Sequence, residues 1–154
     1  MRWWPLFGLS RRLTEKNAYQ SDVDATPLPR LFRRSLFVYA IDAGNSNALN
    51  VEIAALRSPQ YNIHRFGIFF ADAPRHADLL LVLGRPTRQT LAPVKETIAQ
   101  LPRPFGIVHI YEPITVSDQF VDLEFPNLLA RVEGRLGAAQ LLGLLLKVAK
   151  GGSR

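Results

Sequence analysis

Between Ser35 and Lys150 the chain alternates short, almost wholly apolar runs with stretches in which apolar residues return every three or four positions. Ser35–Ile41 is rich in β-favouring side chains and predicts a strand, and Leu49–Leu56 predicts a short helix after it. Ile63–Phe70 is a second strand candidate. Leu79–Leu83, LLLVL, is apolar throughout and bounded by Asp78 and Gly84, as suits a strand covered on both faces. Thr90–Leu101 spaces Leu91, Val94, Ile98 and Leu101 at helical intervals, with Pro93 tolerated in the first turn. Gly106–Ile110 predicts a further strand, and Gly137–Lys150, GAAQLLGLLLKVAK, a closing helix. Strand and helix in alternation predict a single α/β domain, a parallel sheet with helices on both faces.

Ahead of this pattern, Asn17–Pro29, NAYQSDVDATPLP, is polar with two prolines and reads as a linker. Residues 1–34 are therefore taken as an N-terminal extension and linker, and 35–150 as the domain. With 154 residues, the chain is long enough for one core and too short for two.

Charge sharpens the division. Residues 1–34 carry seven basic groups against three acidic ones, whereas the rest of the chain is nearly neutral although the total is +6. The opening MRWWPLFGLSRRL sets Trp3, Trp4 and Phe7 beside Arg11 and Arg12, the composition of segments that lie in a membrane interface or against a membrane-embedded partner. Its apolar run is short and broken by Pro5, unlike a membrane span or the core of a signal peptide. Packing of the tryptophans on the domain itself is the alternative. Beyond the charge, no helix–turn–helix or aromatic-basic strand points to nucleic acid, so no nucleic-acid partner is expected.

Cysteine is absent, which excludes disulfides, thiolate nucleophiles, cysteine zinc sites and thiolate-held iron–sulfur clusters. Ligands of parallel α/β sheets sit beyond the carboxyl ends of the strands, where Tyr39–Ile53, YAIDAGNSNALNVEI, leaves the first strand. One Gly44, without a GxGxxG pattern or a lysine, makes no phosphate loop. Asp42 and Asn45 are candidates to cap the helix that follows. Ser46, His64 and Asp42 offer a triad only on paper.

The segments SLFVYAIDAGNSNALNVEI, SPQYNIHRFGI, PRHADLLLVLGRPTRQTLAPV and LPRPFGIVHI, in this order, resemble the small (20 kDa, PSST/NuoB-type) subunit of complex I and of group 4 membrane-bound nickel–iron hydrogenases. The resemblance runs from about Ser35 to Ile110 and resumes at the last helix. It implies a flavodoxin-like domain and a [4Fe–4S] cluster held by four cysteines. The positions that the resemblance assigns to those cysteines carry Ser46, Leu49, Pro113 and Glu133, the last within ARVEGRLG in the turn before the closing helix. Leu49 and Pro113 have no side-chain donor, and His64, His76 and His109 sit on other elements, His109 reading as a packed strand residue. The stretch from Pro113 to Glu133 is also markedly shorter than the resemblance implies. No cofactor is expected.

Glu52 falls where the family has a glutamate near the cluster and the proton or quinone region; it reads equally as a surface carboxylate or a partner for a basic group. Arg65, Arg75, Arg85 and Arg88 flank the strands and are candidates to face a larger subunit. The expectation is thus a non-catalytic docking subunit, peripheral at the cytoplasmic face of the cell membrane. Its implied partners are a large hydrogenase-like (49 kDa-type) subunit, a membrane subunit and, through the N-terminus, the membrane surface. The alternative is an electron-transfer subunit whose cluster is held by atypical or borrowed ligands.

Overall fold

Apolar side chains on both faces of the central strand decide the architecture. The computed structural model describes Tyr19 and residues 21–28, 35–113 and 120–150. In strand β3, Leu79–Gly84, every residue is buried. Leu79, Leu81 and Leu83 join one core layer while Leu80 and Val82 join the other. Strands β1, Leu36–Gly44, and β4, Gly106–Tyr111, flank it and divide in the same way: Leu36, Val38, Val108 and Ile110 against Ala43 and Ile107. Each such aliphatic side chain contributes about 1.5–3 kcal/mol by leaving water. The edges are β2, Ile68–Phe70, and β5, Leu128–Glu133, giving a parallel sheet in the order β2-β1-β3-β4-β5. The fold is flavodoxin-like, with its order reversing between β1 and β3.

Helix α1, Ala48–Leu56, sinks Leu49, Ile53 and Leu56 into the first layer and leaves Val51 exposed. Helix α2, Leu91–Ala99, places Val94 in the second. Helix α3, Ala138–Lys150, belongs to the first, where Leu141, Leu142, Leu144, Leu145 and Leu146 are all buried by the chain itself. These leucines are therefore core. Of residues 138–149 only Ala139 and Gln140 are exposed, so the helix needs cover over most of its circumference.

Part of that cover comes from residues 21–28, which the composition assigned to a linker. Leu28 is buried, and its N–H donates to Val148 O at 2.9 Å, satisfying a carbonyl in the last turn of α3 that has no partner within the helix. Lys147 Nζ donates to Val23 O at 2.6 Å, and Thr26 N–H to Leu129 O at 2.8 Å. This segment is a strap belonging to the domain, so the boundary at residue 35 is corrected. Trp3, Trp4, Phe7, Arg11 and Arg12 lie outside the described residues.

Two other expectations change. The strand candidate Ile63–Phe70 is strand only over Ile68–Phe70; Ile63–Phe66 forms a 3-10 turn between left-handed Asn62 and Gly67. Ile63 enters the core there while His64 and Arg65 face solvent, which an extended run does not achieve. The stretch ARVEGRLG is not wholly a turn, because Ala130–Glu133 completes β5, with Ala130 and Val132 inward and Arg131 and Glu133 outward. Among the described residues no helix is long and apolar enough to cross a membrane.

Candidate functional site

The carboxyl ends of β1 and β3 are forced together by two glycines. Pairing of β1 with β3 shifts register after Asp42↔Leu83, so that Gly44 faces Gly84. Both have positive φ, 135° and 83°. A Cβ on Gly84 would fall about 2.5 Å from Asn45 N, and one on Gly44 would fall 2.8 Å from Arg85 O. The loop after β3 is fastened to the same bulge by Thr90, whose hydroxyl donates to Ala43 O at 2.6 Å and accepts from Thr87 N–H at 2.8 Å. Thr87 and Thr90 were missed in the sequence; their signal is a pair of threonines three apart ahead of a helix.

Asp42 organises the turn rather than capping α1. Its Oδ1 accepts from Gly44 N–H at 2.9 Å and Asn45 N–H at 3.0 Å, and its Oδ2 from Asn50 Nδ2 at 2.9 Å. Partial burial acts to raise the Asp42 carboxyl, but hydrogen bonds from Asn45, Asn50 and Gly44 outweigh it and hold it below its usual value. The helix begins instead after Asn47, which is left-handed and makes no side-chain cap.

Of the four positions assigned to ligands, three share this carboxyl edge and one does not. Ser46 lies exposed on the turn, Pro113 follows β4, and Glu133 ends β5 with its carboxylate 4.0 Å from Arg85 Nη2. Leu49 is 0% exposed and points into the core. Between them lies a cleft of about 290 Å3, lined by Gly44, Asn45, Ser46, Gly84, Arg85 and Glu112. Its side-chain donors are the Ser46 hydroxyl, the Asn45 amide and the Glu112 carboxylate, the last 3.4 Å from Arg135 Nε. Such hard oxygen ligands do not fit a [4Fe–4S] cluster, which takes soft, deprotonated sulfur. Among the described residues no group of three or more His, Asp or Glu side chains could hold a metal ion.

The remaining candidates scatter. Arg65 stacks on Phe66 at 4.7 Å, and it precedes β2 together with His64, at the amino edge of the sheet. Arg75 and His76 precede β3 at that same edge. The Ser46, His64 and Asp42 trio is thereby separated, whereas Arg85 and Arg88 follow β3 on the carboxyl side. Glu52 has a structural partner: its Oε2 accepts from Ala138 N–H at 2.8 Å and so caps the start of α3. Replacing Glu52 by alanine should cost about 0.5–2 kcal/mol, the range of a lost helix cap, with Glu52→Gln costing less. Urea unfolding of the three proteins checks this; equal stability of Glu52→Ala and wild type would remove the cap.

His109 sits one strand further along, 5% exposed, between the rings of Tyr111 and Phe125, each 4.8 Å away. Its Nε2 lies 2.8 Å from Gly84 O, so that nitrogen carries the proton. Burial foremost, with the charges of Arg131 and Arg85, holds the ring's pKa below its usual value, against the hydrogen bond to Gly84 and the charge of Asp122. Nδ1 is buried without a partner among the described residues, which in general costs about 1–3 kcal/mol.

No family model matches the chain. Curated proteins do. It is 36% identical over 100 residues to a probable membrane-bound hydrogenase subunit, mbhJ, of Pyrococcus furiosus, covering 65% of this chain and 60% of that one. It is 39% identical over 77 residues to formate hydrogenlyase subunit 7 of Escherichia coli, covering 50% of this chain and 30% of the relative. Against a NADH-quinone oxidoreductase subunit of Citrifermentans bemidjiense, identity is 33% over 58 residues, 38% of this chain and 34% of that one. The chain is a cysteine-less homologue of these subunits. It thus spans 60% or less of the length of each of these small subunits. The fold agrees with a chain of the membrane-bound sulfane sulfur reductase, an archaeal respiratory membrane complex, at a TM-score of 0.59 and 22% identity over 81% of this chain and 78% of that chain. On the strand-to-helix turn after β1 and at the strand ends beside it, the chain carries oxygen and hydrocarbon at the positions the resemblance assigns to sulfur.

Proposed function

We propose that the chain is a non-catalytic, iron–sulfur-free docking subunit of a membrane-bound assembly of the complex I or energy-converting hydrogenase type. It binds a large hydrogenase-like subunit and a membrane subunit, and lies peripherally at the cytoplasmic face, with residues 1–18 against the membrane. One observation carries this reading: the turn is built and locked by Gly44, Gly84 and Thr90, yet Leu49 has been drawn into the core and no thiol remains in the chain. A scaffold kept without a conduit suits assembly, since electrons cannot cross a subunit of this size without a cofactor. The relatives, named as subunits of a hydrogenase, a formate hydrogenlyase and a quinone oxidoreductase, support a subunit role.

Two measurements test the proposal. The full chain, produced anaerobically with cluster-assembly machinery, should contain neither iron nor acid-labile sulfide in stoichiometric amount; finding both would reverse the cluster-free reading. Tagged and recovered from native membranes, it should bring a large hydrogenase-like subunit with it, and deletion of residues 1–18, which spares the strap at 21–28, should release it from the membrane fraction. Recovery alone from the soluble fraction would sink the docking role.

A further inference from the structure

The lateral edge of the sheet at β2 gathers rings and cations on a stretch without carboxylates. Residues 53–71, which build it from the second half of α1 through β2, contain Arg57, His64 and Arg65 but neither Asp nor Glu; Asp72 comes only after the strand has ended. Each of the three planar groups lies against a ring. The Arg57 guanidinium is 4.5 Å over Phe70 and that of Arg65 4.7 Å over Phe66, while the His64 ring is 5.3 Å from that of Phe69. All three side chains are exposed, and among the described residues neither guanidinium has a carboxylate partner. Phe69 stacks in turn on Phe37, 5.5 Å away and 40% exposed. Asp78 is the acid bonded to this corner, its carboxylate accepting from Phe37 N–H at 3.0 Å.

What faces such an edge follows from its chemistry. A guanidinium stacked on a half-buried ring is already held in place, so it loses little freedom on meeting an anion, and its fork matches phosphate oxygens. Two of them in an acid-free stretch, beside partly exposed aromatic rings, suit a layer that is anionic on top and apolar beneath, as acidic lipid headgroups are. The attachment of the N-terminal segment agrees. The Tyr19 ring, 5.9 Å from that of Tyr61 and 6.2 Å from that of Phe66, fixes the point where residues 1–18 join the domain at this same edge. That segment carries Arg2, Arg11, Arg12 and Lys16 against Glu15. We propose that the domain rests on an anionic lipid surface by its β2 edge, with Arg57 and Arg65 on headgroup phosphates. This orientation rests on the peripheral membrane reading above and adds to it the side of the domain that faces lipid.

Titration of the full chain with vesicles of phosphatidylcholine alone, and of phosphatidylcholine mixed equally with phosphatidylglycerol, tests the proposal. The wild type should bind the mixed vesicles and not the neutral ones, and lose affinity as salt is raised. The double variant Arg57→Gln/Arg65→Gln, changed at two exposed positions, should bind the mixed vesicles roughly tenfold or more weakly. Because the chain has no cysteine, a polarity-sensitive dye can be placed at one position at a time. On Gln60→Cys, exposed between α1 and β2, its emission should shift to the blue on the mixed vesicles; on Arg131→Cys, in the opposite edge strand, it should not. Unchanged affinity of the double variant, or equal shifts at both edges, would overturn the orientation while leaving attachment through residues 1–18 intact. A wild-type chain that ignores both kinds of vesicle, yet is recovered from native membranes with a large subunit, would overturn it as well, giving this edge to a partner protein and leaving the docking role standing.

Discussion

Gly84→Ala should unfold at markedly lower denaturant than the wild-type chain, losing about 2–5 kcal/mol. Two effects add at this position. A Cβ in the left-handed region costs about 1–2 kcal/mol, and forcing atoms into a filled space costs about 1–3 kcal/mol more. The new methyl would meet Gly44 and lie about 2.5 Å from Asn45 N, and both are backbone atoms that no side-chain rotation can move aside. Gly134 separates the two effects. Its φ is +124°, but a Cβ there would have nothing within 4 Å. Gly134→Ala should therefore carry the conformational cost of about 1–2 kcal/mol alone. Urea unfolding of both variants, read by circular dichroism, makes the comparison; equal losses would show that the approach of β1 to β3 is not tight. A loss at the upper end is a large part of the roughly 5–15 kcal/mol that holds a typical domain folded.

Leu49→Ala is expected to be comparably severe, at about 2–5 kcal/mol, because it removes a fully buried side chain and leaves a void. The position is informative because the resemblance assigns it to a cluster cysteine. A side chain merely facing an open former cofactor site would lose little on truncation. One that has been absorbed into the layer containing Ile53, Leu56 and Leu141 loses its transfer energy and leaves a cavity as well. Leu49→Met, which nearly conserves volume, should cost under about 1.5 kcal/mol. Equilibrium unfolding in urea checks the pair, and a loss below about 1 kcal/mol for Leu49→Ala would place Leu49 outside the packed core.

The two variants probe the two sides of the turn. Gly44, Gly84 and the Thr90 hydroxyl hold its backbone, so the shape is maintained by contacts that need no cofactor. Leu49 fills what lies behind it. A turn held in this way needs no ligand to keep its shape.

Much of the architecture was legible in the residues. LLLVL at Leu79–Leu83 declared a strand covered on both faces, and it is the strand whose side chains alternate between two core layers. The helical spacing of Val94 and of the leucines in α3 likewise marked elements that exist. The strand β5 was obscured because Gly134 and Arg135 follow it closely and its inward residues are only Ala130 and Val132, a weak alternation. Ile63–Phe70 misled because an apolar run does not distinguish a strand from a turn that drops one isoleucine into the core. The strap was hidden by its own composition: a polar segment with prolines looks like a linker unless the helix it covers is known.

Chemistry followed the same division. The absence of cysteine is a property of covalent composition, and it removes thiolates whatever the fold. Arginines and histidines near strand ends could be found by eye, but not which end of the sheet each would occupy. Sequence alone determined the α/β pattern, the family resemblance and the missing thiols, since each depends on local order or on atoms present. Tertiary structure alone decided that Glu52 caps α3, that residues 21–28 add to its cover, and that His109 Nε2 meets Gly84 O across two strands. Those facts depend on groups far apart in the chain meeting across layers of a core, and no local pattern of residues encodes such a meeting.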